Sequence, residues 1–168
     1  LVTSSPIVPP IRSPLAVGLS AKQTENVGSV PSVGVKMPEA TRRELAADLG
    51  ILGVRIAEIG RLDDLRTGSF LPDVEIFHKA VHDALVYGEC FHEREFVYAS
   101  RLLEEGNSRA GALLRGDAPW ASRTGLVVRG YRSRIDHSVQ PYGLVVPTSY
   151  SPDGPHRHRL DVWFHGRG

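Results

Sequence analysis

Apolar positions change their period twice along the chain. Residues 1–37 show neither a helical nor an alternating period. Pro6, Pro9, Pro10, Pro14 and Pro31 fix φ and remove backbone donors, which predicts a leader or linker in extended or turn conformation. Further on, Leu45, Leu49, Leu52, Ile56 and Ile59 recur at three- and four-residue steps, the apolar face of a helix. Pro38 suits its first turn, Thr41-x-x-Glu44 reads as a capping box and Gly60 as a stop. Gly50 and Gly53 each weaken this helix by about 1 kcal/mol relative to Ala.

A second helix is predicted from Pro72 and Asp73 to Gly88, with Ile76, Phe77, Ala80, Val81, Ala84 and Leu85 inward. A third begins near Glu93 and closes at Gly116. Its stripe is Phe96, Ala99, Leu102, Leu103, Ala110, Leu113 and Leu114, and Gly106 and Gly111 are expected to bend or interrupt it. Short connections predict antiparallel packing.

After Trp120 the period becomes alternating. Gly125 to Arg134 and Ser138 to Pro147 flank the polar turn Ile135-Asp136-His137, a pattern that suits a β-hairpin. A turn-rich loop from Thr148 to Arg159 leads to Leu160-Asp161-Val162-Trp163-Phe164, expected as an apolar strand running into His165-Gly166-Arg167-Gly168. The expected organisation is therefore a leader or linker over 1–37, a helical accessory region over 38–117, and the start of a sheet over 118–168. The fold class is α+β.

Composition narrows the function classes. Twenty Lys and Arg against 19 Asp and Glu give a net charge of +1, so neither nucleic acid nor an acidic membrane has a field drawing it in. No apolar run approaches the ~20 residues of a membrane-spanning helix. The single Cys90 excludes an internal disulfide framework, and nothing beside it suggests activation as a nucleophile. The chain opens on Leu1 and stops inside a motif, which reads as part of a longer protein.

The hairpin with Pro-Tyr-Gly-Leu-Val-Val-Pro, the Pro-rich loop, and the apolar strand ending in His-Gly-x-Gly together resemble the opening of an α/β-hydrolase domain. The closest likeness is to the prolyl-oligopeptidase and related esterase families, and it covers about residues 124–168. The earlier Leu-Pro-Asp-Val-Glu-Ile-Phe-His-Lys-Ala-Val resembles the N-terminal extension of bacterial hydrolases of this type, as does Ala-Pro-Trp-x-x-Arg-Thr-Gly-Leu-Val-Val-Arg-Gly-Tyr-Arg-Ser. The resemblance implies an incomplete α/β-hydrolase sheet and a serine hydrolase acting on a small-molecule ester or peptide. It also implies that His165, Gly166, Arg167 and Gly168 form the first half of an oxyanion hole, where backbone N–H groups stabilise the developing negative charge. Arg167 stands where glycine is commoner, and its guanidinium is a candidate contact for an anionic substrate group. No Gly-x-Ser-x-Gly elbow is present, so the nucleophile and the whole triad are expected downstream, and this segment alone is expected to be inactive. No cofactor is implied. The leader-like first stretch and the likeness favour a periplasmic or secreted location.

Other constellations have plainer readings. His78 and His82 share one helical face at a spacing that can hold a metal, with Asp83 and His92 as further donors. They lack the glutamate of His-Glu-x-x-His, and capping, a solvated polar face or contact with another domain is the reading preferred; no metal is expected. His156-Arg157-His158-Arg159 reads as a solvated basic loop before an anion site. Arg129, Arg132 and Arg134 are expected to face solvent or pair with acids, and Ser100 and Ser108 to be ordinary helix or loop residues. The alternatives to the hydrolase are a non-catalytic helical interaction module, which requires Trp163 and Phe164 to be covered by the helices, and a hydrolase-like binding protein without a nucleophile.

Overall fold

Pro38 is the residue before the first helix, and its carbonyl accepts the Arg42 N–H at 3.0 Å, the first bond of the helical ladder. In the computed structural model, which describes residues 34–62, 64–151, 154 and 157–164, this helix is α1, Glu39–Ile59. The capping box does not form: the helix starts before Thr41, which therefore lies inside the first turn, and no side chain caps it. Leu45, Leu52 and Ile59 are buried as the period requires.

A short helix that the apolar period did not reveal, α2 (Leu65–Phe70), follows. Its start is a side-chain cap: the Asp64 carboxylate accepts the Thr67 N–H at 2.9 Å and also bonds the Thr67 hydroxyl. Helix α3 is Pro72–Tyr87, opened by proline in its first turn and closed by Gly88 at φ 67°, the left-handed position that favours glycine. Ala80, expected inward, is exposed, while Val74 and Asp73 are buried. Helix α4 is Arg94–Leu114, followed by Gly116 at φ 77°.

Neither Gly106 nor Gly111 interrupts α4, which runs unbroken from Arg94 to Leu114. A Cβ on Gly106 would lie 2.7 Å from Leu52 Cδ2 and 3.0 Å from Phe77 Cβ, so the absent side chain lets α4 approach α1 and α3. The core between these three helices contains Leu45, Leu52, Val74, Phe77, Val81, Leu103 and Leu113. After a 3-10 turn at Pro119–Ser122, which buries Trp120, come β1 (Gly125–Arg132) and β2 (Val139–Val146). They pair antiparallel with Gly125 opposite Val146 and Arg132 opposite Val139, within two residues of the expected hairpin. Its turn places His137 at φ 59°, and the Asp136 carboxylate accepts the Ser138 N–H at 3.1 Å.

The described residues thus form an α+β fold of helices and a two-stranded antiparallel sheet. The third expected strand is absent: Leu160–Phe164 lies outside any strand, because no described segment supplies a ladder beside it. No described helix is long and apolar enough to cross a membrane.

Candidate functional site

Two features mark this structure: a buried polar cluster that fastens the hairpin to the helices, and the uncovered apolar surface beyond the hairpin.

The cluster centres on Asp73 at the start of α3, which is 1% exposed. Its Oδ2 accepts hydrogen bonds from Trp120 Nε1 and Arg129 Nε, both at 2.8 Å, and its Oδ1 accepts the Gly130 N–H at 2.6 Å. Arg109 of α4 completes the joint. Its guanidinium donates to the Val128 carbonyl at 2.8 Å and to the Asp73 carbonyl at 3.4 Å, and lies 4.8 Å over the Phe77 ring and 5.0 Å over the Trp120 ring. Glu105 accepts from Arg109 Nε at 2.7 Å. Charge-assisted bonds of this kind are the strong ones, and a carboxylate this deeply buried requires them. Every buried side-chain polar atom among the described residues has a partner. Asp73 therefore has no unsatisfied acceptor turned toward a ligand, and the cluster works as a fastener. The sequence reading missed it, taking Asp73 as a helix-start residue; its partners lie 36 to 57 positions away.

Arg129 and Arg132 meet acids as expected, the latter reaching Glu75 Oε1 at 2.6 Å; Arg134 is exposed. On the far side of α3, His78 and His82 are stacked with ring centroids 6.0 Å apart. His82 Nδ1 lies 3.1 Å from Asp83 Oδ1, and Asp83 also pairs with Lys79. The hydrogen bonds from Lys79 and His82 hold the Asp83 carboxyl below its ordinary pKa, while the bond to Asp83 raises that of Lys79. Burial, followed by the neighbouring His82, lowers the pKa of His78 and favours its neutral form. Among the described residues no three His, Cys, Asp or Glu side chains group as a metal site, and His92 is exposed away from any such cluster.

Cys90 is buried, and desolvation, with Glu95 adding, raises its thiol pKa, the opposite of nucleophile activation. Ser100 donates to the Phe96 carbonyl one turn back, an ordinary helical bond, and Ser108 is exposed. In the basic loop, Arg159 pairs with Asp161 at 2.9 Å and the His158 ring lies 5.8 Å from that of Tyr150; His156 lies outside the described residues.

Beyond the hairpin the surface is apolar. Leu160, Val162, Trp163 and Phe164 are 77%, 66%, 87% and 91% exposed. A groove of about 780 Å³ separates this segment from Pro141, Tyr142, Gly143 and Leu144 of β2, with Tyr131 packed edge-to-face on Tyr142. His165, Gly166, Arg167 and Gly168 lie outside the described residues.

Comparison with family profiles, curated proteins and solved structures finds no match to this chain.

Proposed function

We propose that this chain is the front part of a serine hydrolase of the α/β-hydrolase class, cleaving an ester or peptide by Ser-His-Asp acyl transfer. The observation that carries the reading is the exposure of Trp163 and Phe164, at 87% and 91%. Apolar patches of this kind on a soluble domain mark surfaces that something else covers. A sheet continuing beyond this segment buries such a strand, whereas a self-contained helical module requires its own helices to cover both rings. The order along the chain adds support: a hairpin anchored on helices, a turn-rich loop, then an apolar run leading to His165-Gly166-Arg167-Gly168.

In this reading the helices α1, α3 and α4 are an accessory region, and the Asp73 cluster orients the first hairpin of the catalytic sheet. Leu160–Phe164 becomes the strand that delivers the oxyanion loop. The loop's backbone N–H groups stabilise the charge developing on the substrate carbonyl, and glycine permits their close approach. The nucleophile, acid and base come from further along the gene product.

The test is the reading frame that contains this segment, followed by chemistry on its product. The expected result is a Gly-x-Ser-x-Gly, a later Asp or Glu, and a His, with a product that is labelled by a fluorophosphonate and hydrolyses p-nitrophenyl esters until the elbow serine is changed to Ala. A full-length product with no elbow and no fluorophosphonate labelling sinks the proposal.

A further inference from the structure

Away from the Asp73 cluster, α1, α3 and the hairpin turn border a cavity of about 400 Å³. Four of its lining side chains are basic, His78 and Lys79 from α3 and Arg132 and His137 from the hairpin, against the single carboxylate of Glu75. The wall from α1 is Gly53 and Ile56. A Cβ on Gly53 would lie 3.3 Å from His78 Nε2, so the glycine leaves the nitrogen-bearing edge of that ring uncovered on this side.

Two of the four bases have acidic partners: Arg132 pairs with Glu75, and Lys79 with Asp83. The two imidazoles do not. Among the described residues neither the His78 nor the His137 ring hydrogen-bonds another group. His137 is nevertheless fixed in place. Its N–H donates to the Ser133 carbonyl at 3.0 Å, its carbonyl accepts from Arg132 at 3.1 Å, and its φ of 59° is uncommon for a residue other than glycine. The Lys79 side chain is 43% exposed, and a half-exposed pair four residues apart on a helix is worth little, so Lys79 can turn from Asp83 to a stronger acceptor.

The spacing of these groups selects the ligand. A metal ion needs its donors within about 2 Å of one point, and no three His, Cys, Asp or Glu side chains among the described residues come that close together. N–H donors set farther apart around a roomy cavity suit an anion whose several oxygens each reach a different donor. A phosphate group, with three strong acceptor oxygens and a charge near −2, has that form.

We propose that this cavity binds a phosphate group, free or at the end of a small monoester, with His78, His137 and Lys79 as its donors. The site stands apart from the hydrolase reading, since it needs no triad and no oxyanion loop.

The experiment is an NMR titration of the full chain with inorganic phosphate at constant pH and ionic strength, following the ring Cε1–H signals of the histidines. The His78 and His137 signals are expected to move on one saturable curve while those of His92 and His158 stay in place. Lys79→Met and His137→Asn are each expected to weaken binding about tenfold, the loss of one charge-assisted hydrogen bond. Both variants should keep the unfolding midpoint, because Lys79 is half-exposed and asparagine accepts the left-handed φ. Phenyl phosphate separates the sources: tighter binding than inorganic phosphate assigns the site to a monoester, equal binding to free phosphate. Shifts that chloride reproduces would mean screening alone and would overturn the proposal. So would shifts centred on His158 in the basic loop, affinity unchanged in both variants, or no saturation at millimolar phosphate.

Discussion

Arg129 Nε lies 2.8 Å from Asp73 Oδ2, joining the middle of β1 to the first turn of α3 across 56 positions of sequence. The arginine side chain is 18% exposed and the aspartate 1%, so the pair is largely desolvated. Its value rests on the partners around it: Trp120 and Gly130 also donate to the carboxylate, and Arg109 bonds the adjoining backbone.

Removing Asp73 leaves Arg129, Trp120 Nε1 and Gly130 N–H without their acceptor. Breaking one side of a buried pair costs about 3–5 kcal/mol, so Asp73→Ala is expected to lower the stability of the chain by that amount in urea titrations. Asp73→Asn keeps the shape and loses the charge, and should cost less. A double-mutant cycle with Arg129→Met should give a clear coupling energy; strictly additive losses would show that the two side chains act independently.

Glycines of this chain are separated by what their missing Cβ would meet. Gly50 has open space around it, so Gly50→Ala should stabilise α1 by up to about 1 kcal/mol. Gly106→Val drives new atoms into Leu52 and Phe77 and should destabilise by about 1–3 kcal/mol. Gly130→Ala meets backbone of α3, which cannot rotate aside, and is expected to be worse than Gly106→Ala. Thermal melts of the four variants provide the ranking.

The acid side of the stability profile carries a signature of His78. Burial and His82 lower its folded-state pKa below the ordinary histidine value of 6.5. The unfolded chain then takes up the proton first, so stability is full above pH ~6.5 and falls as the pH drops through the window between the two pKa values. His78→Gln should flatten the change in urea midpoint between about pH 7 and pH 5. The Asp83 carboxyl, lowered by Lys79 and His82, contributes stability that is present above the ordinary Asp pKa and is lost at more acid pH. An unchanged midpoint slope in the His78 variant would refute this assignment.

The exposed rings predict a change in behaviour without a change in stability. Trp163→Ser and Phe164→Ser should leave the unfolding midpoint within about 0.5 kcal/mol, as for other surface positions. The double variant should bind less of an apolar dye and remain soluble at higher concentration. A large loss of stability would mean that these rings are packed in solution.

Much of the fold was legible because its elements follow local periods. The steps from Leu45 to Ile59 place α1, Pro72 and Gly88 delimit α3, and the alternating runs around Ile135–His137 place the hairpin. Legibility stopped where the deciding interaction was not periodic. Thr41-x-x-Glu44 matches a capping box, yet Pro38 starts the helix one turn earlier. Helix α2 starts on a side-chain cap from Asp64, which no apolar period announces. Leu160–Phe164 has a strand's composition, but a strand exists only with a partner. Of the candidate site, the sequence identifies the apolar run, whereas the Asp73 cluster needs contacts 36 to 57 positions apart.

The amino-acid sequence by itself determined where the helices and the hairpin lie, because hydrophobic period, proline and glycine act over a few residues. Only the tertiary structure decided which polar residues matter to the fold. Asp73, Arg109, Trp120 and Arg129 look unremarkable in their own segments. They become a joint when α3, α4 and β1 converge, since a buried charge must be satisfied by whatever the fold brings within hydrogen-bond reach. The same convergence presses the start of α3 against the outer edge of β1.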